Sequence, residues 1–424
     1  LTKTLAPLAS LLLGISFLLS GNSLLGTVLP LRGLSEHFSP IIIGLMGSSY
    51  NAGFVLGCLA CPFLIQRAGH IRAYSTLVSL AAATTLIHPI IVDPTVWILA
   101  RAITGFSLAG LYLIVESWLN DKASNENRGL VMSIYIVVNF SMTTVGQLMV
   151  LLAPIQHFEL FAAASILVSL AVVPVALTTS AQPAPIAIVE FRPLRLFKIA
   201  PVGLMGTFMI GVANGAYWSL LPVFAIARGL TSNGAAVFLS IAAIGGALAQ
   251  WPIGRLSDRL DRRLVLGVGM IGATVMSLLV GFLPLSPNAL LAISFVLGAA
   301  VLTGYSVAAA HAYDRCSRSE YVEMATGVLL ANGTGAIIGP LIASYGMEAW
   351  GETILFVHMA VIYTLLGLFI AVRWFLRAPP AANEKEKFDL GATAPVGTVI
   401  VPVSPRPEAS DEAATDKAAP SPAN

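Results

Sequence analysis

The chain carries one pattern twice. Positions about 190 to 194 residues apart agree in hydropathy and often in identity: Asn22 with Asn214, Pro62 with Pro252, Gly110 with Gly304, Asn139 with Asn332 and Gly146 with Gly339. Gln66-Arg67 falls on Asp258-Arg259 in the same comparison. Each copy holds six apolar stretches. A repeat nearly 200 residues long, made of helices that would each fill a membrane's width, limits the fold to two related helical bundles in a bilayer. Substrate sites in such molecules lie between the two halves.

The chemistry of the chain agrees. Hydrophobic residues make up 57% of it and charged residues 10%, against roughly 25% charged in an average soluble domain. Mean hydropathy is +0.84. A spanning helix needs ~20 mainly apolar residues, and twelve segments meet that length: 5–31, 38–64, 73–92, 95–118, 129–152, 158–177, 199–224, 234–254, 264–284, 288–312, 324–346 and 353–375. The expected architecture is an all-α polytopic membrane protein of two pseudo-symmetric six-helix bundles. These cover 1–177 and 199–378, joined by a linker over 178–198 and followed by a disordered cytoplasmic tail over 379–424. The tail is rich in Pro, Ala, Glu and Lys and has no apolar periodicity with which to bury a core.

Charge placement sets the expected orientation. With the N-terminus inside, twenty of the 23 Lys and Arg residues fall on inner segments, two (Arg32 and Arg228) fall outside, and Arg101 lies within a span. That split follows the positive-inside rule and favours an even number of crossings, with both termini cytoplasmic in a bacterial inner membrane. The basic residues thus mark one face of the bilayer and give no reason to expect nucleic acid. The apolar run after Lys3 outlasts a signal peptide's core and has its counterpart in span seven, so it reads as a retained helix. The pair Cys58 and Cys61 forms a C-x-x-C inside the second span, where packing thiols are the simplest reading, and Cys316 sits in an inner loop.

Between spans eight and nine runs Gly254-Arg255-Leu256-Ser257-Asp258-Arg259-Leu260-Asp261-Arg262-Arg263. This resembles the G-x-x-x-D-R-x-G-R-R signature of the major facilitator superfamily, with Asp261 in place of the glycine. A carboxylate at a helix end among guanidiniums can form charge-assisted bonds that latch one state and release another, so Asp258, Arg259 and Arg262 are the expected inner gate. The first half has a worn copy, Gln66-Arg67-Ala68-Gly69, lacking the acid. Span four opens with Arg101-Ala102-Ile103-Thr104-Gly105, similar to the family's R-x-x-x-G signature. A narrower resemblance, through Glu116-Ser117-Trp118-Leu119-Asn120, Asn139, Gly146-Gln147 and Gln250-Trp251-Pro252, is to the YcaD-like branch of that superfamily, which has a related group linked to riboflavin import. The resemblance implies a transporter whose spans one, four, seven and ten line a central cavity.

Polar and aromatic residues at such depths are few. Asn22, Tyr112, Asn214, Tyr217, Trp218 and Asn139 are the expected substrate contacts. The plainer alternative for each amide is a helix-to-helix hydrogen bond, and for each aromatic ring, packing. Aromatic faces with amides suit a flat neutral heterocycle, whereas a strongly anionic solute would want more cations than Arg101. Arg101 is expected to face the bundle interior in a gating or coupling role, the alternative being that it snorkels to the outer surface. Among 21 acids, Glu116 alone falls clearly within a span. Burial would suit it to carry a proton, unless it pairs with Arg67 or Arg128 instead. His311 is a second proton candidate. Span five reads Gly146-Gln147 where antiporters of the family show Gly-Pro, which favours uptake over exchange. The expected function is alternating-access transport of a small organic solute, proton-coupled and inward, by a monomer with no cofactor. A multidrug or metabolite exporter is the alternative, and a membrane ligand sensor is more remote because no output module follows. No nucleophile-and-base pair or H-x-x-x-H spacing points to an enzyme.

Overall fold

The computed structural model describes residues 8–123, 128–177, 192–317 and 320–376; the 379–424 tail and most of the 178–198 linker lie outside them. Among these residues there are twelve helices long and apolar enough to cross a membrane. They are Ala9–Ser35, Pro40–Ala68, His70–Ile90, Pro94–Lys122, Leu130–Leu152, Glu159–Ala176, Pro201–Ala227, Ser232–Arg259, Arg262–Phe282, Pro287–Tyr313, Tyr321–Trp350 and Ile354–Phe375, numbered here as spans one to twelve.

Several spans run past their hydrocarbon-length core because a polar cap, rather than the last apolar residue, ends a helix. Ser39 and Asp93 accept from the backbone N–H of Ile42 (3.4 Å) and Val96 (3.0 Å), each followed by proline at the first helical position. Thr231, Asp261 and Ser286 cap spans eight, nine and ten in the same way. The linker ends in a short helix, Pro193–Ile199, whose Leu196 is fully buried; this part is packed structure and not a free hinge.

The repeat reappears in how helices meet. A β-carbon on Gly53 would strike the Ala102 carbonyl and one on Gly105 the Tyr50 carbonyl; one repeat later, Gly245 meets Phe295 and Gly298 meets Ala242 in the same manner. Spans two and four therefore cross as spans eight and ten do. Gly146 against Ser20 and Gly339 against Val212 relate span five to span one as span eleven to span seven. Small residues allow this backbone approach, which lipid alone gives no reason to avoid or favour.

Turns alternate between two faces. One carries the linker helix and the turns at Gly69 and Leu260, with Arg67, Arg72, Arg255, Arg259, Arg262 and Arg263 about them; it is termed the basic face. On the opposite face one continuous core joins Leu25, Trp97 and Phe161 of the first half to Phe224, Phe238 and Phe356 of the second. On the basic face the packing divides into two clusters, one holding Tyr74, Trp118 and Tyr135, with Leu329 its one buried member from the second half, and another Leu196, Tyr313 and Val328. The halves are closed on the opposite face: Ser48 Oγ donates to the Ile337 carbonyl (2.7 Å) and Gly44 abuts Ser344. Large apolar side chains such as Leu248 and Ile271 are turned outward, as a lipid-facing belt requires.

Candidate substrate chamber and charge clusters

Between the halves lies a chamber of about 450 Å³, within the ~300–1,000 Å³ of sites that enclose small organic molecules. Both bundles contribute. The expected contacts Asn22, Tyr112, Asn214 and Trp218 line it, as does Arg101. Added to them are Tyr50 and Asn51 of span two, Gln147 of span five, Gln250 of span eight, Tyr305 of span ten and Asn332 of span eleven. The lining among the described residues thus has several aromatic rings, six carboxamides, one guanidinium and no carboxylate.

Arg101 does not snorkel. Its guanidinium carbon lies 4.2 Å from the centre of the Tyr50 ring, and one of its nitrogens, Nη1, is buried without a hydrogen-bond partner. A desolvated cation over an aromatic face gains more than one in water. Beside Tyr50, the side-chain carbonyl oxygen of Asn22 is buried without a hydrogen-bond partner. Asn214 is oriented from behind by the Tyr363 hydroxyl at 3.2 Å. Span ten breaks at Thr303, and there Gln250 Nε2 donates to the Leu302 carbonyl (3.3 Å) while its oxygen accepts from Ser306 (2.6 Å). Irregular backbone inside a membrane is tolerated where side chains satisfy it beside a cavity, which is the setting here.

Two expected contacts and the second proton candidate are placed elsewhere. Tyr217 is fully buried in the core, with its ring edge-on to Trp218 at 5.2 Å, so of the adjacent pair only Trp218 reaches the chamber. Neighbours on a helix point about 100° apart, and one sequence position cannot serve both faces. Asn139 does not line the chamber, and its amide nitrogen is buried without a hydrogen-bond partner. His311 is not at mid-depth: it lies at the basic face beside Arg263 and Arg315.

Glu116 is wholly buried, and its Oε1 accepts from the Tyr135 hydroxyl at 2.8 Å. It sits one helical turn from Tyr112, which does line the chamber.

The gate residues form a cluster at the basic face. Arg262 Nε donates to Asp314 at 2.7 Å, both side chains being buried, and its Nη2 lies 3.5 Å from Asp258. Arg263 holds Asp261 at 2.8 Å. Burial pushes the Asp261 carboxyl up, but the bonds from Arg263 outweigh it and leave the group below the usual aspartate range. Arg259 is exposed to solvent. All these links stay within the second half. Asp314 is the member that the motif did not announce. At the same face Glu320 accepts from the Ser317 hydroxyl (2.7 Å) and backbone N–H (3.2 Å); these bonds, with Arg195 beside it, hold its carboxyl below the usual glutamate range. Among the described residues no three His, Cys, Asp or Glu side chains are grouped to hold a metal.

Comparison with known proteins gives the same architecture. A family model described as Major Facilitator Superfamily matches residues 11–230 and 203–407. An uncharacterized MFS-type transporter of Enterobacter sp. (strain 638) is 29% identical over 368 residues, covering 85% of this chain and 95% of that protein. The uncharacterized MFS-type transporter YcaD of Escherichia fergusonii is 27% identical over 367 residues, with the same coverage. Among solved structures, a point mutant of the nucleoside transporter NupG superposes with TM-score 0.75 at 14% identity, over 86% of this chain and 98% of that one. A bacterial homolog of the human lysosomal transporter Spinster, inward-facing and unoccupied, gives 0.73 at 16% identity, over 89% and 99%.

Proposed function

The chain belongs to the major facilitator superfamily, and on that premise we propose that this transporter moves a small, flat, uncharged or weakly charged aromatic solute inward across a bacterial inner membrane, in step with protons. The observation that carries the solute class is the chamber lining: rings from Tyr50, Tyr112, Trp218 and Tyr305, carboxamides from both halves, and Arg101 as the one cation among its described members. Rings stack on a flat heterocycle and carboxamides read its donors and acceptors. A multiply charged anion would leave its second charge unpaired in a desolvated space, at a cost of several kcal/mol. A riboflavin-like heterocycle is the first compound to test.

Closure on the opposite face and divided packing on the basic face support a state in which the chamber opens toward the basic face, the cytoplasmic one by the positive-inside rule. Gln147, a chamber-wall residue where exchangers of the family carry proline, supports uptake.

Glu116 is the proposed proton site. Its burial and its bond to Tyr135, one turn from Tyr112, would let proton binding shift the side of span four that meets the solute. Uptake into proteoliposomes under an imposed pH gradient tests both parts. The reading expects accumulation driven by an inward proton gradient and a pH profile that flattens in Glu116→Gln. A Glu116→Gln protein with the parental pH profile would remove the proton role. Thermal stabilisation across a panel of vitamins and nucleosides tests the solute: a true ligand at 100 times its Kd adds about 2.7 kcal/mol. No shift with riboflavin beside a clear shift elsewhere would retire that compound.

A further inference from the structure

At the seam between the halves, on the basic face, a second cavity of about 570 Å³ lies among apolar side chains. Its walls come from Leu59 of span two, Leu204 and Phe208 of span seven and Leu330 of span eleven, with the linker helix Pro193–Ile199 across its basic-face end. It opens outward toward lipid: Leu59 is 47% and Leu194 81% exposed. Water would not fill such a lining without losing hydrogen bonds, and no described side chain fills it.

The linker helix shows what could. Leu194, Phe197 and Lys198 are spaced to share one face, all three exposed, with Arg192 and Arg195 flanking them. Arg195 is engaged by Glu320 and Glu323; Lys198 is exposed on the helix face it shares with Leu194 and Phe197, which line the groove. Apolar anchors beside basic residues at the end of a hydrocarbon-facing groove match an acyl chain below and an anionic headgroup above. A groove of similar volume, about 500 Å³, runs between spans nine and twelve, but there the lining cation Arg263 is already held by Asp261. The two grooves therefore differ in headgroup chemistry while sharing apolar walls.

We propose that the seam groove is a binding site for an anionic phospholipid, with one acyl chain against Leu59, Phe208 and Leu330 and the phosphate at Lys198. The site adjoins the substrate chamber. Val55 and Leu330 line both the groove and a smaller cavity of about 260 Å³ that shares Tyr50, Asn51 and Tyr305 with the chamber. A β-carbon on Gly333 would strike Val55, so spans two and eleven meet there with nothing between them. The acyl chain thus rests on the wall of the smaller cavity that adjoins the chamber.

Native mass spectrometry of the purified protein, given equimolar palmitoyl-oleoyl phosphatidylglycerol and phosphatidylcholine, tests this. The expected result is selective retention of phosphatidylglycerol. Lys198→Gln should lower that preference about fivefold, with Lys198→Arg restoring it. Leu59→Trp should reduce retention of both lipids, whereas Leu248→Trp, at an exposed position on span eight, should not. Equal retention of the two lipids by the parent protein, or an unchanged preference in Lys198→Gln, would overturn the proposal. The measurement uses no solute or pH gradient, so its failure leaves the transport reading standing, and failure of transport leaves the lipid site standing.

Discussion

The Arg262–Asp314 pair is the contact on the basic face with most at stake, because both groups are buried, 2% and 1% exposed, at 2.7 Å. Removing one partner takes away the other's nearest counter-charge and costs up to roughly 3–5 kcal/mol, whereas replacing both with apolar residues can be nearly neutral. Asp314→Ala should therefore lower the melting temperature sharply, and Arg262→Leu with Asp314→Leu should recover most of the loss. Asp261 and Glu320 carry a pH signature of known sign. Both carboxyls are held below their usual ranges, so they stabilise the fold above the unfolded value, near 4, and that contribution fades as pH falls through the folded one. Melting temperature should drop on acidification below about pH 4, less steeply in Asp261→Asn. Asp258 and Arg262 were legible because they share one motif. Asp314 was not, since it comes from the end of span ten and meets Arg262 only through tertiary packing. Tyr50 and Asn51 had a signal that went unused: Ile43, Met46, Gly47, Tyr50 and Asn51 recur at helical spacing and all line the chamber.

At the scale of the element, spacing of small residues decides which helices touch. Gly298 sits against the Ala242 backbone, while Gly269 faces open space. Overpacking typically costs 1–3 kcal/mol. Gly298→Leu should cost about that much or more by thermal unfolding, and Gly269→Leu should be tolerated; equal effects would mean that the spans eight and ten do not cross there. Apolar run lengths gave all twelve spans, while their ends depended on caps such as Asp93, Thr231 and Ser286 that lie outside the apolar runs. The break in span ten at Thr303 left no mark in hydropathy. It became intelligible only when Gln250 of span eight was seen to reach the Leu302 carbonyl.

For the whole molecule, the duplicated pattern was the strongest signal because pseudo-symmetry repeats every close contact at one offset, as Gly53 and Gly245 do. The position of the chamber follows from it: two similar bundles meet along one seam, and polar residues that would be costly in lipid collect there. Which side of the seam is closed was not legible, since one sequence serves every state. The measurement that bears most directly on alternating access is thiol accessibility at Asn214, a chamber residue. With Cys58, Cys61 and Cys316 replaced by alanine, Asn214→Cys would be reacted with a membrane-impermeant maleimide in right-side-out and inside-out vesicles. The account predicts labelling from both sides, with solute and pH shifting the balance between them. Labelling from a single side under every condition would contradict it.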